Sequence, residues 1–123
     1  MKKTIGITID VTKEMFENII VTSLEGGSNY WYMIHSTSHN LDNYLPLSSQ
    51  IAEWLYDDDT FKVVFHDCET DDYLGTLTQA SLIKGIEKAM TNCKLTAEEV
   101  EEGDEYIMDT ILQYAVMGDI VYA

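Results

Sequence analysis

At 123 residues and 14.0 kDa the chain has the length of a single domain, residues 1–123. It is 46% hydrophobic and 24% charged, which gives enough apolar content for a packed core and argues against a disordered chain. Its 22 acidic residues face 7 lysines and no arginine, and the formal charge of -15 argues against direct contact with nucleic-acid phosphates or anionic membrane surfaces, both of which are gripped by basic side chains.

Taken in chain order, Ile5, Ile7, Ile9 and Val11 alternate with polar or small residues, which predicts a half-buried strand over 5–11. Thr12 is placed to cap a helix whose apolar residues Met15, Phe16, Ile19, Ile20 and Leu24 recur at helical spacing, with Gly26 and Gly27 as its stop. Residues 30–35 are aromatic and β-prone and predict a strand or an extended run. Residues 36–49 hold the only proline, Pro46, and predict a long loop, after which Ser49 caps a short helix through Ile51, Trp54 and Leu55 or the piece packs as an irregular turn. Two strands, 61–66 and 73–77, flank an acidic turn. Thr78 caps a helix carrying Leu82, Ile83, Ile86, Ala89 and Met90, and Thr96 to Glu99 has capping-box spacing. A last helix carries Tyr106, Ile107, Ile111, Leu112 and Ala115 to Gly118, and Ile120, Val121 and Tyr122 predict a closing strand. The expected fold class is α+β, with a small antiparallel sheet packed on one face by about three helices.

Two cysteines, Cys68 and Cys93, are too few for a disulfide framework. The N-terminus lacks an apolar h-region, and no apolar run approaches the ~20 residues of a membrane span. A cytoplasmic protein is expected.

The acids are unevenly spread. Seven of the 22 lie in residues 57–72 (Asp57, Asp58, Asp59, Asp67, Glu69, Asp71, Asp72), six more in residues 98–105, including Glu98, Glu99, Glu101 and Glu102, and nothing basic follows Lys94. Such runs are either solvated faces or a surface that imitates the charge spacing of a nucleic-acid backbone and binds a basic protein. No EF-hand register fits: twelve residues counted from Asp57 end at Cys68, and twelve from Asp67 end at Thr78, where glutamate is required. His35, His39, His66 and Cys68 are the candidate donors of a zinc set. His35 and His39 would share a face only in a helix, which Ser36, Thr37 and Ser38 oppose, so surface histidines and no metal or other cofactor are expected. Nucleophile elbows, zinc-protease signatures and phosphate loops are missing from the sequence, which points to a protein that is not an enzyme. Glu25, Gly26, Gly27, Ser28, Asn29, Tyr30 and Trp31 form its most distinctive passage. They read either as a helix end followed by core aromatics, or as a pocket or interface anchor.

The segment Ile-Val-Thr-Ser-Leu-Glu-Gly-Gly at 20–27, followed by Tyr30-Trp31, resembles a family of small acidic proteins encoded by bacteriophages and prophages. Residues 109–122, with Gln113, Tyr114 and Gly118, are similar to that family's C-terminal signature. The resemblance carries over no catalytic residue. It implies a phage origin, action in the host-cell cytoplasm, and an antagonist of bacterial immunity (anti-CRISPR-like) that occludes a basic nucleic-acid-binding surface of a defence effector. The site residues expected for that are the acids named above, without direct nucleic-acid or membrane contact. Two alternatives stand beside it. One is a sponge for a cyclic-nucleotide signal in a pocket formed by Glu25, Asn29, Tyr30, Trp31, Gln113 and Tyr114; the other is an accessory phage protein that forms homo-oligomers and opposes no defence.

Overall fold

The computed structural model describes residues 8–27 and 30–122. The Thr12 hydroxyl accepts from the Met15 amide at 3.2 Å and opens α1 (Lys13–Thr22), which buries Met15, Phe16, Ile19 and Ile20. The described helical run ends at the glycine pair, but over its last five residues, Ser23–Gly27, the chain widens into a π-helical turn, with Ser23 continuing in helical geometry.

Three strands follow: β1 (Tyr32–Thr37), β2 (Val63–Asp67) and β3 (Tyr73–Leu77), antiparallel in the order β1-β2-β3. Val63, Phe65, Gly75 and Leu77 alternate onto the buried face, as period-two residues of a one-sided sheet must. Between β1 and β2 lies α2 (Leu47–Asp57). It begins directly after Pro46, two residues before Ser49, because proline's fixed φ of -55 pre-sets the helix entry. α3 (Gln79–Cys93) opens on a capping box of Thr78 and Ser81 and closes on Lys94 in the left-handed region. Thr96 and Glu99 form a second capping box, which starts the short α4 (Ala97–Glu102). Asp104 caps α5 (Glu105–Met117) through the Ile107 amide.

α5 is the centre of the molecule. Residues 108–116 are all buried, as suits a helix packed on every side, by α1, α3, α4 and β3. Two glycines let its neighbours approach. A Cβ on Gly75 would collide with the Val116 carbonyl, and one on Gly85 would stand 2.7 Å from Ala115 Cβ.

The α+β class and the antiparallel sheet agree with expectation. The described residues hold five α-helices: the short helix expected through Ile51, Trp54 and Leu55 is present and begins two residues before Ser49, and the Thr96 capping box starts another. Residues 5–7 of the strand expected over 5–11 fall outside the described residues, and residues 8–11 form none. Ile120, Val121 and Tyr122 are not a strand either, since the Gln113 side chain takes up backbone hydrogen bonds of Val121 and Tyr122, and Asp119 that of the Ile120 amide. Among the described residues no helix is long and apolar enough to cross a membrane.

Candidate functional site

The aromatic passage resolves into core and anchor. Trp31 is only 1% exposed, with its ring stacked between Phe65 and Tyr122 at centroid distances of 6.3 and 5.6 Å. Its indole nitrogen donates to Asp109 Oδ1 at 2.8 Å; Tyr30 Oη and Gln113 Nε2 donate to Asp109 Oδ2 at 3.0 and 2.9 Å. A buried carboxylate on α5 is thereby satisfied by three donors from both ends of the chain. Desolvation first, and the hydrogen bond to Asp109 second, push the Tyr30 phenol up to about 12. Burial, with the Asp109 charge second, raises Tyr32 as well.

Gln113 then does what a partner strand would do. Its Oε1 accepts from the amides of Val121 and Tyr122 at 2.9 and 2.8 Å, and its Nε2 donates to the Tyr122 carbonyl at 2.8 Å. Both main-chain groups of Tyr122 are satisfied, and its ring lies flat on Trp31.

Of the six residues expected around a pocket, Tyr30, Trp31 and Gln113 converge on Asp109 instead. Tyr114 points to α3, where Asn92 Nδ2 donates to its hydroxyl at 3.4 Å. Glu25 accepts from Ser48 Oγ at 2.9 Å and lines a cleft of ≈ 390 Å³ with Leu24, Tyr32, Met33, Pro46 and Leu47, away from Trp31. Asn29 lies outside the described residues. Another cleft, ≈ 570 Å³, lies along α3 against residues 8–11 and includes none of the six. A base could stack on Trp31 only by displacing Tyr122.

The acids divide into those with structural work and those without. Asp58 accepts from the Thr60 hydroxyl and amide at 2.6 and 2.8 Å and from His39 Nε2 at 2.9 Å. These bonds, the Thr60 hydroxyl first, lower its carboxyl to about 2. Asp67 accepts from the Glu69 and Thr70 amides, which hold its carboxyl below the ordinary range, and from Tyr122 Oη. Asp71 pairs with His66, Asp72 accepts from Thr70, and Glu99 accepts from the Thr96 amide in its capping box. The side chains of Asp57, Asp59, Glu69, Glu98, Glu101 and Glu102 are exposed, and none hydrogen-bonds to another described residue. Among the described residues the carboxylates find ion-pair partners only in His39 and His66, and none in a lysine.

Tyr30 joins the β2–β3 turn to α5. Tyr30 reaches Asp109, one turn along α5 from Glu105, while its carbonyl accepts from Cys68 Sγ in the β2–β3 turn at 3.2 Å. The β2–β3 turn and the first turns of α5 thus flank Tyr30. Residues 57–59 lie beyond the other end of β2, at least ~13 Å away at about 3.3 Å per strand residue.

Of the four zinc candidates, His39 bonds to Asp58 at that far end and Cys68 faces Tyr30. His35 and His66 do come together, with ring centroids 3.9 Å apart and planes within 3°, and the carboxylate beside them is that of Asp71. The chain matches no protein-family model, no curated protein and no solved structure.

Proposed function

We propose that this protein is a non-catalytic competitor of nucleic acid: its acidic stretches, residues 67–72 and 98–105, occupy a basic nucleic-acid-binding surface on a partner protein. The phage-like segments at 20–31 and 109–122 make bacterial defence effectors the first partners to test. The observation that carries the reading is self-repulsion left uncompensated. α4 holds Glu98, Glu99, Glu101 and Glu102 in six residues, with like charges at i,i+3 and i,i+4 and two of them at the helix end that favours cations. No lysine pairs with any of them among the described residues. A solvated face that serves solubility alone is ordinarily interspersed with both signs. A basic partner would relieve this repulsion, and long-range attraction would speed the encounter.

The test uses acids that hold no part of the fold. A Glu69→Gln/Glu98→Gln/Glu101→Gln/Glu102→Gln variant should keep or gain thermal stability while losing its ability to displace DNA or RNA from purified defence effectors. Displacement by the native chain should weaken as salt rises. Displacement undiminished in the variant, or insensitive to salt, would sink the proposal.

A further inference from the structure

We propose that His35, His66 and Asp71 form a binding site for one divalent transition-metal ion, with zinc the best match to two imidazole nitrogens and a carboxylate oxygen. The three side chains each bring one donor atom to within 4.8 Å of the others. They come from three places: His35 from β1, His66 from β2 and Asp71 from the turn before β3.

Two irregularities of the sheet aim them. In β1 the pairing steps from Ile34↔Phe65 to Ser36↔Val64, so His35 is the extra residue of a β-bulge and has no partner of its own on β2. In the next ladder the step from Phe65↔Gly75 to His66↔Tyr73 displaces the register beside His66. Bulges redirect a side chain, and here the result is one imidazole laid over the other on the outward face, since Phe65 and Val63 take the buried face. Asp71 has a φ of 63, the left-handed region a non-glycine residue seldom occupies, and its carboxylate meets His66 Nδ1 at 3.0 Å. The turn holds it there: the Asp71 amide donates to the Asp67 carbonyl at 3.0 Å, and the Asp67 amide to the Asp72 carbonyl at 2.7 Å. The His66 Nδ1–H that donates to the Asp71 carboxylate is the proton a bound ion displaces, so that both atoms face the ion.

One motion is required. An ion about 2.0–2.1 Å from two ring nitrogens must lie in both ring planes, so parallel rings have to splay. His35 is exposed and can turn, whereas the His66 side chain is mostly covered, at 15% exposed, and tied to Asp71. With three protein donors at the surface, the remaining coordination positions open to water or to a partner's side chain. The surrounding carboxylates Glu69 and Asp72 add a field that favours a cation.

The experiment is a competition titration of the purified protein with Zn²⁺ against a chromophoric chelator, repeated with Co²⁺ to read coordination from its visible absorption. One ion per chain is expected. His35→Ala and Asp71→Asn should each weaken binding roughly tenfold or more, and His39→Ala, outside the cluster, should leave it unchanged. Zinc should raise Tm in the native chain and in His39→Ala but not in His35→Ala/Asp71→Asn. Circular dichroism confirms that each exposed-site variant is folded. Equal affinity in the native chain and in His35→Ala/Asp71→Asn would overturn the proposal, because binding would then be diffuse association with acids. A loss in His39→Ala as large as that in His35→Ala would overturn it equally.

Discussion

Replacing Asp109 by alanine isolates what joins the two ends of the chain. The substitution orphans three donors, but unequally. Tyr30 is 50% exposed and its hydroxyl can turn to water, and Gln113 Nε2 keeps the Tyr122 carbonyl. Trp31, at 1% exposed, has no such recourse, and a buried donor left unmade costs about 1–3 kcal/mol. Adding the lost charge-assisted bonds of the other two, and subtracting the desolvation that Asp109 no longer bears, we expect a loss of about 2–4 kcal/mol. For a domain of this size that is a Tm lower by roughly 6–20 °C. Asp109→Asn retains one acceptor oxygen but turns an amide toward donors, and should fall between. Urea unfolding followed by far-UV circular dichroism gives both values. A cycle with Trp31→Phe should return a coupling of about 1 kcal/mol or more, since the two side chains form one buried bond. A loss of less than about 0.5 kcal/mol for Asp109→Ala would refute the reasoning, as surface substitutions alone reach that size.

Gly75→Ala should destabilise by about 1–3 kcal/mol or prevent folding, because the added methyl meets the Val116 backbone, which cannot rotate away. Gly26→Ala is the control: its methyl meets only the mobile Glu105 carboxylate at 3.3 Å, and denaturant midpoints of the two variants should separate clearly. On the pH axis, Asp58 is depressed in the fold to about 2 from 3.8, so the stability it lends is present above pH 3.8 and lost as pH falls toward 2. Asp58→Asn should flatten acid unfolding in that window. Tyr30 is raised to about 12 from 10.0, so its contribution is whole below pH 10 and fades as pH rises toward 12. Phenolate absorbance should show late-titrating tyrosines in the native chain, Tyr30 and Tyr32 among them, and an earlier titration of these in Asp109→Asn.

Local chemistry made much of this fold legible. Thr12, Thr78 and Thr96 each announce a helix start because a hydroxyl three residues before a backbone amide is a short-range device, and all three are used. The hairpin of β2 and β3 follows likewise from alternation around polar turn residues. Long-range partnerships left no such trace. Nothing in Gln113 says that its amide will pair with the backbone at Val121 and Tyr122, so an alternating apolar run that predicts a strand ends up hydrogen-bonded to a side chain instead. Tyr30 and Trp31 look alike in sequence and both reach Asp109, yet one is half exposed and the other buried, because Phe65 and Tyr122, distant in the chain, stack on the second.

The same distinction governs the two proposed sites. The acidic stretches are legible as composition, and the structure adds which acids carry the fold and which are idle. That division follows from turn geometry: Asp58 and Asp67 sit two residues before amides they can cap, whereas Glu98, Glu101 and Glu102 project from a helix whose amides are already engaged. The histidine cluster was half legible. His35 and His66 stand 31 residues apart, and an unbroken ladder would set His35 against a neighbour other than His66; the extra residue at the β1 bulge closes that gap. A single-residue deletion that removed the bulge would realign every later β1 side chain. The sequence feature that makes this site is therefore a register shift, which no spacing of donors along the chain can reveal.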